Sequence, residues 1–353
     1  MSLRRLLIAP LLSFVMAAPA WAGDGLAGMD RLDMKLPHRG QAVAAAIWYP
    51  AAGSTYRGLV GDNPVFRGTR VHIGPPIAAG KHPLILFSHG SGGNMDNAAW
   101  LFATLAEQGA MVLAVNHPGT TSGDSSPRRS VRLDERARDV SAALDVLLQE
   151  APFAAHIDPK RIVSLGFSLG GATALGLAGM RFDREAYHRF CDRSDDLPVD
   201  CQFFAKGGVD LANLPDGFAA DTKDGRVSSA IAVDPGFSYA ARPNSIAAMT
   251  MPVLLINLGA DGHGSAHRDR FLAADVGPNG SNLVGRLSDV TYREIGPANH
   301  FTFLAECKPE GAALLAEEQD DPVCTDPAGT DRADVHRRIA RTILEFLKLP
   351  GAE

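Results

Sequence analysis

The sequence has 353 residues, of which 46% are hydrophobic and 21% charged, and its formal net charge is −6. This composition is typical of a globular protein, and the absence of a basic stripe excludes nucleic acid as an expected partner. The length would allow two domains, but α/β folds with insertions often reach it as one, so we expect one domain over 23–353.

The first 22 residues have the three parts of a secretory signal peptide. A basic start at Arg4-Arg5 is followed by an apolar run over 6–18 and by the small-residue cleavage site Ala20-Trp21-Ala22. The apolar run is too short for a lasting membrane anchor, and no cysteine follows the cleavage site to carry a lipid. The arginine pair is compatible with twin-arginine export, but ordinary secretion fits better. We expect a mature protein from about Gly23 that is periplasmic or secreted.

Apolar runs and amphipathic segments alternate along the rest of the chain. Runs at 84–87 and 111–115 enclose a predicted helix at 98–108, which is the spacing of a right-handed crossover unit in a parallel sheet. A helix around 140–147 has one apolar face with charges opposite. The pattern predicts an α/β fold with a mostly parallel central sheet and helices on both faces. Loop-like residues occupy 53–76, and the remaining predicted strands and the C-terminal helix lie at 43–49, 162–165, 227–233, 251–258, 290–295 and 330–347.

A glycine-rich turn, Ser88-His89-Gly90-Ser91-Gly92-Gly93, follows the strand at 84–87. Such a turn presents backbone N–H groups either to phosphate or to an oxyanion. Phosphate binding needs a Walker lysine or a Gly-x-Gly-x-x-Gly that opens a helix, and neither is here. We therefore predict an oxyanion hole with the N–H of Ser91 as one donor. His117, after the next strand, could contact substrate, but a histidine tied into its loop by hydrogen bonds is the better interpretation.

The motif Gly166-Phe167-Ser168-Leu169-Gly170 stands between an apolar run and an alanine- and leucine-rich helical segment. A sharp strand-turn-helix connection of this kind holds its central serine exposed, and the flanking glycines remove side chains that would collide. We predict that Ser168 is a nucleophile and that the N–H of Leu169 is the second oxyanion donor. The alternative is a serine that only caps the helix.

Residues 182–226 interrupt the alternation with charges, prolines, glycines and aromatic residues. A segment of this length needs its own structure, so we interpret it as a lid or pocket wall over the site; a surface decoration is the alternative. Export favours disulfide bonds, and of three possible connectivities we predict the local one, Cys191–Cys201 and Cys307–Cys324. Each bridge would contribute about 3 kcal/mol in the chain-entropy model. Four free buried thiols are the alternative.

A nucleophilic serine needs a histidine base and a carboxylate that fixes the base's tautomer. His300 follows the last predicted strand through a short Gly-Pro loop and is the predicted base, whereas His263 and His267 lie in a glycine-rich loop before that strand. Asp234 ends one strand and Asp261 lies just past the next. Spacing alone leaves both aspartates open as the acid.

Together the motifs Phe87-Ser88-His89-Gly90, Gly166 to Gly170, Ala232-Val233-Asp234 and His300-Phe301 resemble the α/β-hydrolase superfamily. Within it the chain looks like the bacterial predicted dienelactone hydrolases related to platelet-activating factor acetylhydrolase. Residues 252–257 are similar to the strand that follows the acid in the acetylhydrolase, which implies Asp234 as the acid. Dienelactone hydrolases proper use a cysteine nucleophile where this chain has Ser168, so the resemblance implies ester hydrolysis rather than a dienelactone substrate.

The sequence thus predicts an exported serine esterase for a small-molecule or lipid-like ester, with no need for a metal or organic cofactor. Alternatives on the same fold are an acyltransferase or a peptidase, because fold and triad do not fix the acceptor. A non-catalytic binding protein is a further alternative, but the joint presence of nucleophile, acid, base and oxyanion loop speaks against it. After removal of the signal peptide, no integral membrane segment is expected.

Overall fold

The structure is a computed structural model that describes residues 25, 27–192, 199–259 and 276–351. Within these residues a ten-stranded sheet has the order β12-β11-β10-β9-β5-β6-β2-β1-β4-β3, and β7 and β8 form a separate hairpin. The strands are β1 (Gly28–Met34), β2 (Val43–Tyr49), β3 (Tyr56–Val60), β4 (Thr69–Ile73), β5 (His82–Ser88), β6 (Met111–Val115), β7 (Thr120–Thr121), β8 (Asp124–Ser125), β9 (Ile157–Phe167), β10 (Val227–Val233), β11 (Val253–Leu258) and β12 (Val290–Ile295).

The helices follow the same chain order and lie on both faces of the large sheet. They are α1 (Ala99–Glu107), α2 (Pro127–Ser130), α3 (Leu133–Leu147), α4 (Ala151–Ala154), α5 (Leu169–Leu177), α6 (Arg184–Asp192), α7 (Val199–Lys206), α8 (Pro243–Ala247), α9 (Gly311–Glu318) and α10 (Arg332–Leu347). In the described part of the chain no helix has the length and apolar character needed to cross a membrane.

Six neighbouring strands, from β12 to β6, are parallel, and the predicted parallel sheet is confirmed there. At the other end β2 pairs antiparallel with β6 and with β1. The interpretation of 53–76 as loop was wrong, because β3 and β4 lie within it as an antiparallel pair. They are the last two strands at this end of the sheet, and the edge strand β3 keeps Tyr56 and Leu59 exposed, so both lack the apolar run that identified the central strands.

The core has two layers because strand side chains alternate between faces. On β5, Ile85 and Phe87 pack on the face covered by α1 and α10, while Leu84 and Leu86 pack on the face covered by α3. The carboxyl ends of the parallel strands therefore meet at one edge between covered faces. In parallel sheets this edge is where ligands bind.

Two disulfide bonds, Cys191–Cys201 and Cys307–Cys324, have the local connectivity that the sequence predicts. The first joins α6 to α7 within the segment 182–226. Around it the ring of Tyr187, which is fully buried, contacts aromatic rings of the segment and of the loop after β10. This segment therefore has an aromatic core of its own that continues into the main core.

Candidate active site

The connection between β9 and α5 is a single residue, Ser168, with φ 57° and ψ −122°. This left-handed backbone turns the serine out of the strand and starts the helix at once. A Cβ on Gly166 would collide with the carbonyl of Gly170, and a Cβ on Gly170 would collide with the carbonyl of Ser88. Only glycine allows the backbone to approach this closely. The tight turn at Ser168 therefore explains why glycines stand two residues before and two residues after the serine.

The Ser168, His300 and Asp234 side chains form one chain of hydrogen bonds. Ser168 Oγ lies 3.0 Å from His300 Nε2, and His300 Nδ1 lies 3.1 Å from Asp234 Oδ2. With the carboxylate accepting from Nδ1–H, Nε2 is free to accept the serine proton. His300 is 8% exposed and Asp234 is fully buried, whereas Ser168 is partly exposed at the sheet edge.

Asp234 is held from the neighbouring strand β11. Its Oδ1 accepts hydrogen bonds from the backbone N–H of Leu258 at 2.8 Å and from Asn257 Nδ2 at 3.0 Å. These donors leave Oδ2 for His300 and fix the carboxylate plane. The alternative acid, Asp261, and the alternative bases, His263 and His267, lie outside the described residues.

His300 begins a short 3-10 helix, His300–Phe303, that Asn299 caps with a capping box. The ring of His300 stacks on Phe167 with centroids 4.6 Å apart. Asn299 Nδ2 also donates to the carbonyl of Thr325 at 2.7 Å, directly after the Cys307–Cys324 bridge. The loop that carries His300 is therefore anchored to the residue next to a disulfide bond.

The predicted oxyanion donors come from two different connections of the fold. Leu169 is the first residue of α5, and Ser91 belongs to the glycine-rich turn after β5. A Cβ added to Gly90 would lie 3.3 Å from the Cβ of Ser168, so this turn is in contact with Ser168. In the described part of the chain neither the Ser91 nor the Leu169 N–H has a protein acceptor. Both N–H groups are thus available to a negatively charged oxygen.

His117 is fully buried beneath this turn, which agrees with its interpretation as a histidine tied in by hydrogen bonds. Its Nε2 accepts from Ser88 Oγ at 2.9 Å, and its Nδ1 donates to Asp139 Oδ2 at 3.0 Å. Burial, together with the nearby charge of Arg136, lowers the pKa of His117 to about 4.

Sequence reasoning missed a second carboxyl group near the triad, that of Asp200 on α7. Burial raises the pKa of Asp200 to about 7. The charge of Asp234 also raises this pKa, whereas the charge of His300 lowers it. The neighbouring residue is Cys201, so the disulfide bond fixes the turn of helix that carries it. No motif surrounds this aspartate, and the only available signal was its position beside a cysteine in the insertion.

Comparison with known proteins agrees with this architecture. Residues 83–184 match a family model described as the alpha/beta hydrolase fold. A ferulic acid esterase from Streptomyces cinnamoneus superimposes with a TM-score of 0.56 over 91% of this chain and 88% of that chain, at 18% sequence identity. The chain has the α/β-hydrolase fold.

Curated proteins with similar sequences match a shorter segment. Cutinase est2 of Thermobifida alba is 36% identical over 104 residues, which is 29% of this chain and 32% of that protein. Cutinase 2 of Thermobifida cellulosilytica is 33% identical over 142 residues, 40% of this chain and 41% of that protein. The chain therefore spans about a third to two fifths of the length of these relatives, and the fold match extends much further than the sequence match.

Proposed function

We propose that the protein is an exported serine esterase that hydrolyses carboxylic esters through an acyl-enzyme. The observation that carries this proposal is the continuous hydrogen-bond chain Ser168–His300–Asp234, beside which two backbone N–H groups have no acceptor among the residues that the structure describes. A partly exposed serine, a neutral imidazole and a buried carboxylate are the groups that acyl transfer requires.

In the first half of the reaction Ser168 Oγ attacks the ester carbonyl carbon while His300 Nε2 accepts the serine proton. Asp234 stabilises the imidazolium that forms, and the N–H groups of Ser91 and Leu169 donate to the oxyanion. Collapse of the tetrahedral intermediate breaks the bond to the alcohol oxygen, which takes the proton from His300. Water then attacks the acyl-enzyme with His300 as base, and the carboxylic acid leaves.

The comparisons support the ester as the bond that is attacked. The matched proteins are named as cutinases, and a further one, from Moraxella, as a lipase that is 37% identical over 82 residues. The finer resemblance to the dienelactone hydrolase and acetylhydrolase group belongs to the proposal. It is supported by Asp234 at the end of β10, directly before the strand Val253–Leu258.

We also propose that the segment 182–226 forms a wall of the substrate pocket. Support comes from Asp200 on α7, which lies within electrostatic range of both His300 and Asp234. Export to the periplasm or medium is proposed from the predicted signal peptide over residues 1–22. Two disulfide bonds support an oxidising compartment.

A panel of p-nitrophenyl esters from acetyl to palmitoyl tests the reaction and measures the acyl length that the pocket accepts. We expect hydrolysis with a burst of p-nitrophenol if deacylation is slow. Adding an alcohol or an amine as competing acceptor, and assaying a peptide amide, separates an esterase from an acyltransferase or a peptidase. Absence of turnover on the whole panel, with no covalent labelling by a fluorophosphonate, would contradict the proposal and favour a binding protein.

A further inference from the structure

Beneath the glycine-rich turn lies a group of buried polar side chains that the proposed mechanism does not use. We call Ser88, His117, Arg136 and Asp139 the inner network; each is at most 1% exposed. Their burial excludes contact with substrate. Buried polar groups are stable only when they form hydrogen bonds. The hydrogen-bond partners of the inner network therefore indicate which backbone segments it holds in place.

One half of the inner network is a chain of hydrogen bonds that ends in a carboxylate. Ser88 Oγ donates to His117 Nε2 at 2.9 Å, and His117 Nδ1 donates to Asp139 at 3.0 Å. Asp139 also accepts from Arg39 Nε at 2.7 Å and from His38 Nε2 at 2.8 Å. Burial alone would raise the pKa of Asp139, but the hydrogen bonds from His117 and Arg39 hold it well below its usual range.

The other half is the guanidinium of Arg136, whose hydrogen bonds reach three separate segments. In the turn after β5 it donates to the backbone carbonyl of His89 and, at 3.0 Å, to Ser88 Oγ. On β7 it donates to Thr120 Oγ1, and on α5 it donates to Thr173 Oγ1 at 3.2 Å. Arg136 thus connects the glycine-rich turn to the helix that begins after Ser168.

On the side of the turn, this connection reaches the peptide unit that carries the Ser91 N–H. His89 Nδ1 donates to the Gly90 carbonyl at 2.7 Å, and His89 Nε2 accepts from the His117 N–H at 3.2 Å. Because the Gly90 carbonyl and the Ser91 N–H belong to one planar unit, these bonds fix the direction of the N–H. They require a neutral His89, and burial next to Arg136 lowers its pKa well below 6.5.

On the side of the helix, Thr173 Oγ1 accepts from Arg136 and donates to the Leu169 carbonyl at 3.2 Å. The first turn of α5, which carries the Leu169 N–H, is therefore tied to the same guanidinium. We propose that Arg136 is a positioning residue that sets the separation of the two oxyanion donors, Ser91 and Leu169. This inference rests on the proposed esterase function, because only an oxyanion needs both N–H groups at once.

The test compares Arg136→Lys and Arg136→Met with wild type on p-nitrophenyl acetate, with phenylboronic acid as a mimic of the tetrahedral intermediate. Misplacing an oxyanion donor should lower kcat by up to about 10²-fold while KM changes little. Affinity for the boronate should fall in parallel with kcat, and fluorophosphonate should still titrate one serine per folded chain. Arg226→Met is the control, since Arg226 pairs with Asp224 and Asp145 instead.

Loss of a buried guanidinium can also prevent folding, so a milder pair of variants makes the test decisive. Thr173→Val removes one acceptor of Arg136 at nearly constant shape and should lower kcat and boronate affinity together by about fivefold. Thr104→Val is its control, because Thr104 Oγ1 makes the same kind of bond to the Trp100 carbonyl on α1.

Two negative results have separate meanings. If wild type hydrolyses no ester and takes up no fluorophosphonate, the proposed function fails. If wild type is active and Thr173→Val and a folded Arg136 variant keep wild-type kcat and boronate affinity, the positioning role of Arg136 is wrong. Should neither Arg136 variant fold, equal behaviour of Thr173→Val and Thr104→Val is sufficient to reject it.

Discussion

The described part of the chain contains two Ser–His–Asp hydrogen-bond chains of the same connectivity. The outer chain, Ser168–His300–Asp234, has distances of 3.0 and 3.1 Å, and the inner chain, Ser88–His117–Asp139, has distances of 2.9 and 3.0 Å. Connectivity and distance therefore do not distinguish a nucleophile from a structural serine. What differs is the surroundings of each chain.

The surroundings of the inner chain oppose the chemistry that the outer chain is proposed to perform. A catalytic base must become an imidazolium, but His117 is buried next to the Arg136 charge and has a pKa of about 4. Ser88 Oγ already accepts a hydrogen bond from Arg136, whereas Ser168 stands partly exposed at a turn beside two N–H groups that have no acceptor within the described ranges. Access and local charge, rather than the three residue types, separate the two serines.

The largest contrast should appear on removing each serine. Ser168→Ala should lower kcat for p-nitrophenyl esters by about 10⁶-fold, the size known for nucleophile removal in a serine hydrolase. Ser88→Ala should still be labelled by fluorophosphonate at Ser168, because Ser88 is buried and the reagent does not reach it. Peptide mapping of the labelled protein measures this directly, and a label on Ser88 would show that the inner chain is reactive.

Replacing each aspartate with asparagine should separate activity from stability. Asp234→Asn should lose about 10⁴-fold in kcat, because His300 would take the wrong tautomer, while the fold remains. Asp139→Asn should instead cost about 3 to 5 kcal/mol in the free energy of unfolding, because Arg39 loses its buried partner. The measurements are kcat for p-nitrophenyl esters and the free energy of unfolding in urea, each for both variants. Near wild-type activity of Asp234→Asn would move the acid to Asp261.

Acid should weaken the inner chain at a pH set by its histidine. The unfolded chain binds a proton on His117 near pH 6.5, whereas the folded chain does so only near pH 4. The free energy of unfolding that depends on neutral His117 is therefore fully present above pH 6.5. It is lost as the pH falls towards 4, which is a decrease of about 3 kcal/mol. The pKa of His336 is also lowered to about 4, so the comparison with a variant is needed.

The measurement is Tm at pH 7 and pH 4.5 for wild type and for His117→Gln. The variant starts less stable and should lose less Tm on acidification than wild type does. Ser168→Ala, which leaves the inner chain intact, should keep the full wild-type decrease. Equal decreases in wild type and His117→Gln would mean that this histidine does not link stability to pH.

The smallest effect concerns the charge next to the outer chain. Above pH 7 Asp200 is ionised and favours a proton on His300, the proposed base, so Asp200→Asn should move the acid limb of kcat/KM to lower pH by less than about one unit. Asp210→Asn, an exposed carboxylate on the same segment, should leave the limb in place. An unchanged limb in both variants would remove Asp200 from the electrostatics of the site.

The residues of the outer chain could be predicted from the sequence because each of them follows a recognisable strand. Ser168 lies between flanking glycines at the end of an apolar run, and His300 follows the last strand. Spacing left Asp234 and Asp261 open, since both follow predicted strands that meet at the same edge, and the family resemblance favoured Asp234. In the structure the carboxylate of Asp234 is hydrogen-bonded to His300, and residue 261 is outside the described range.

The inner network could not be predicted from the sequence, for a physical reason. The apolar face that predicted this helix was recognised from residues 140–147, and nothing in the sequence indicated that Arg136 and Asp139, in the preceding turns of α3, are buried. Periodicity predicts that a charge faces water unless a partner is known, and here the partners come from the distant turns after β5 and β6. Likewise, nothing local distinguishes Asp200 from the other acidic residues of 182–226.

The Cys307–Cys324 bridge has a consequence for the cell that makes the protein. In a reducing compartment both sulfurs would be thiols, and Thr325, the residue after the bridge, would be held less firmly as the acceptor for Asn299, the cap of the His300 loop. We expect nascent protein in the cytoplasm to be a poor catalyst that gains kcat on oxidation, which stopped-flow assays of reduced and reoxidised samples would reveal. With the proposed export, the esterase activity would then develop only after the protein has left the cytoplasm.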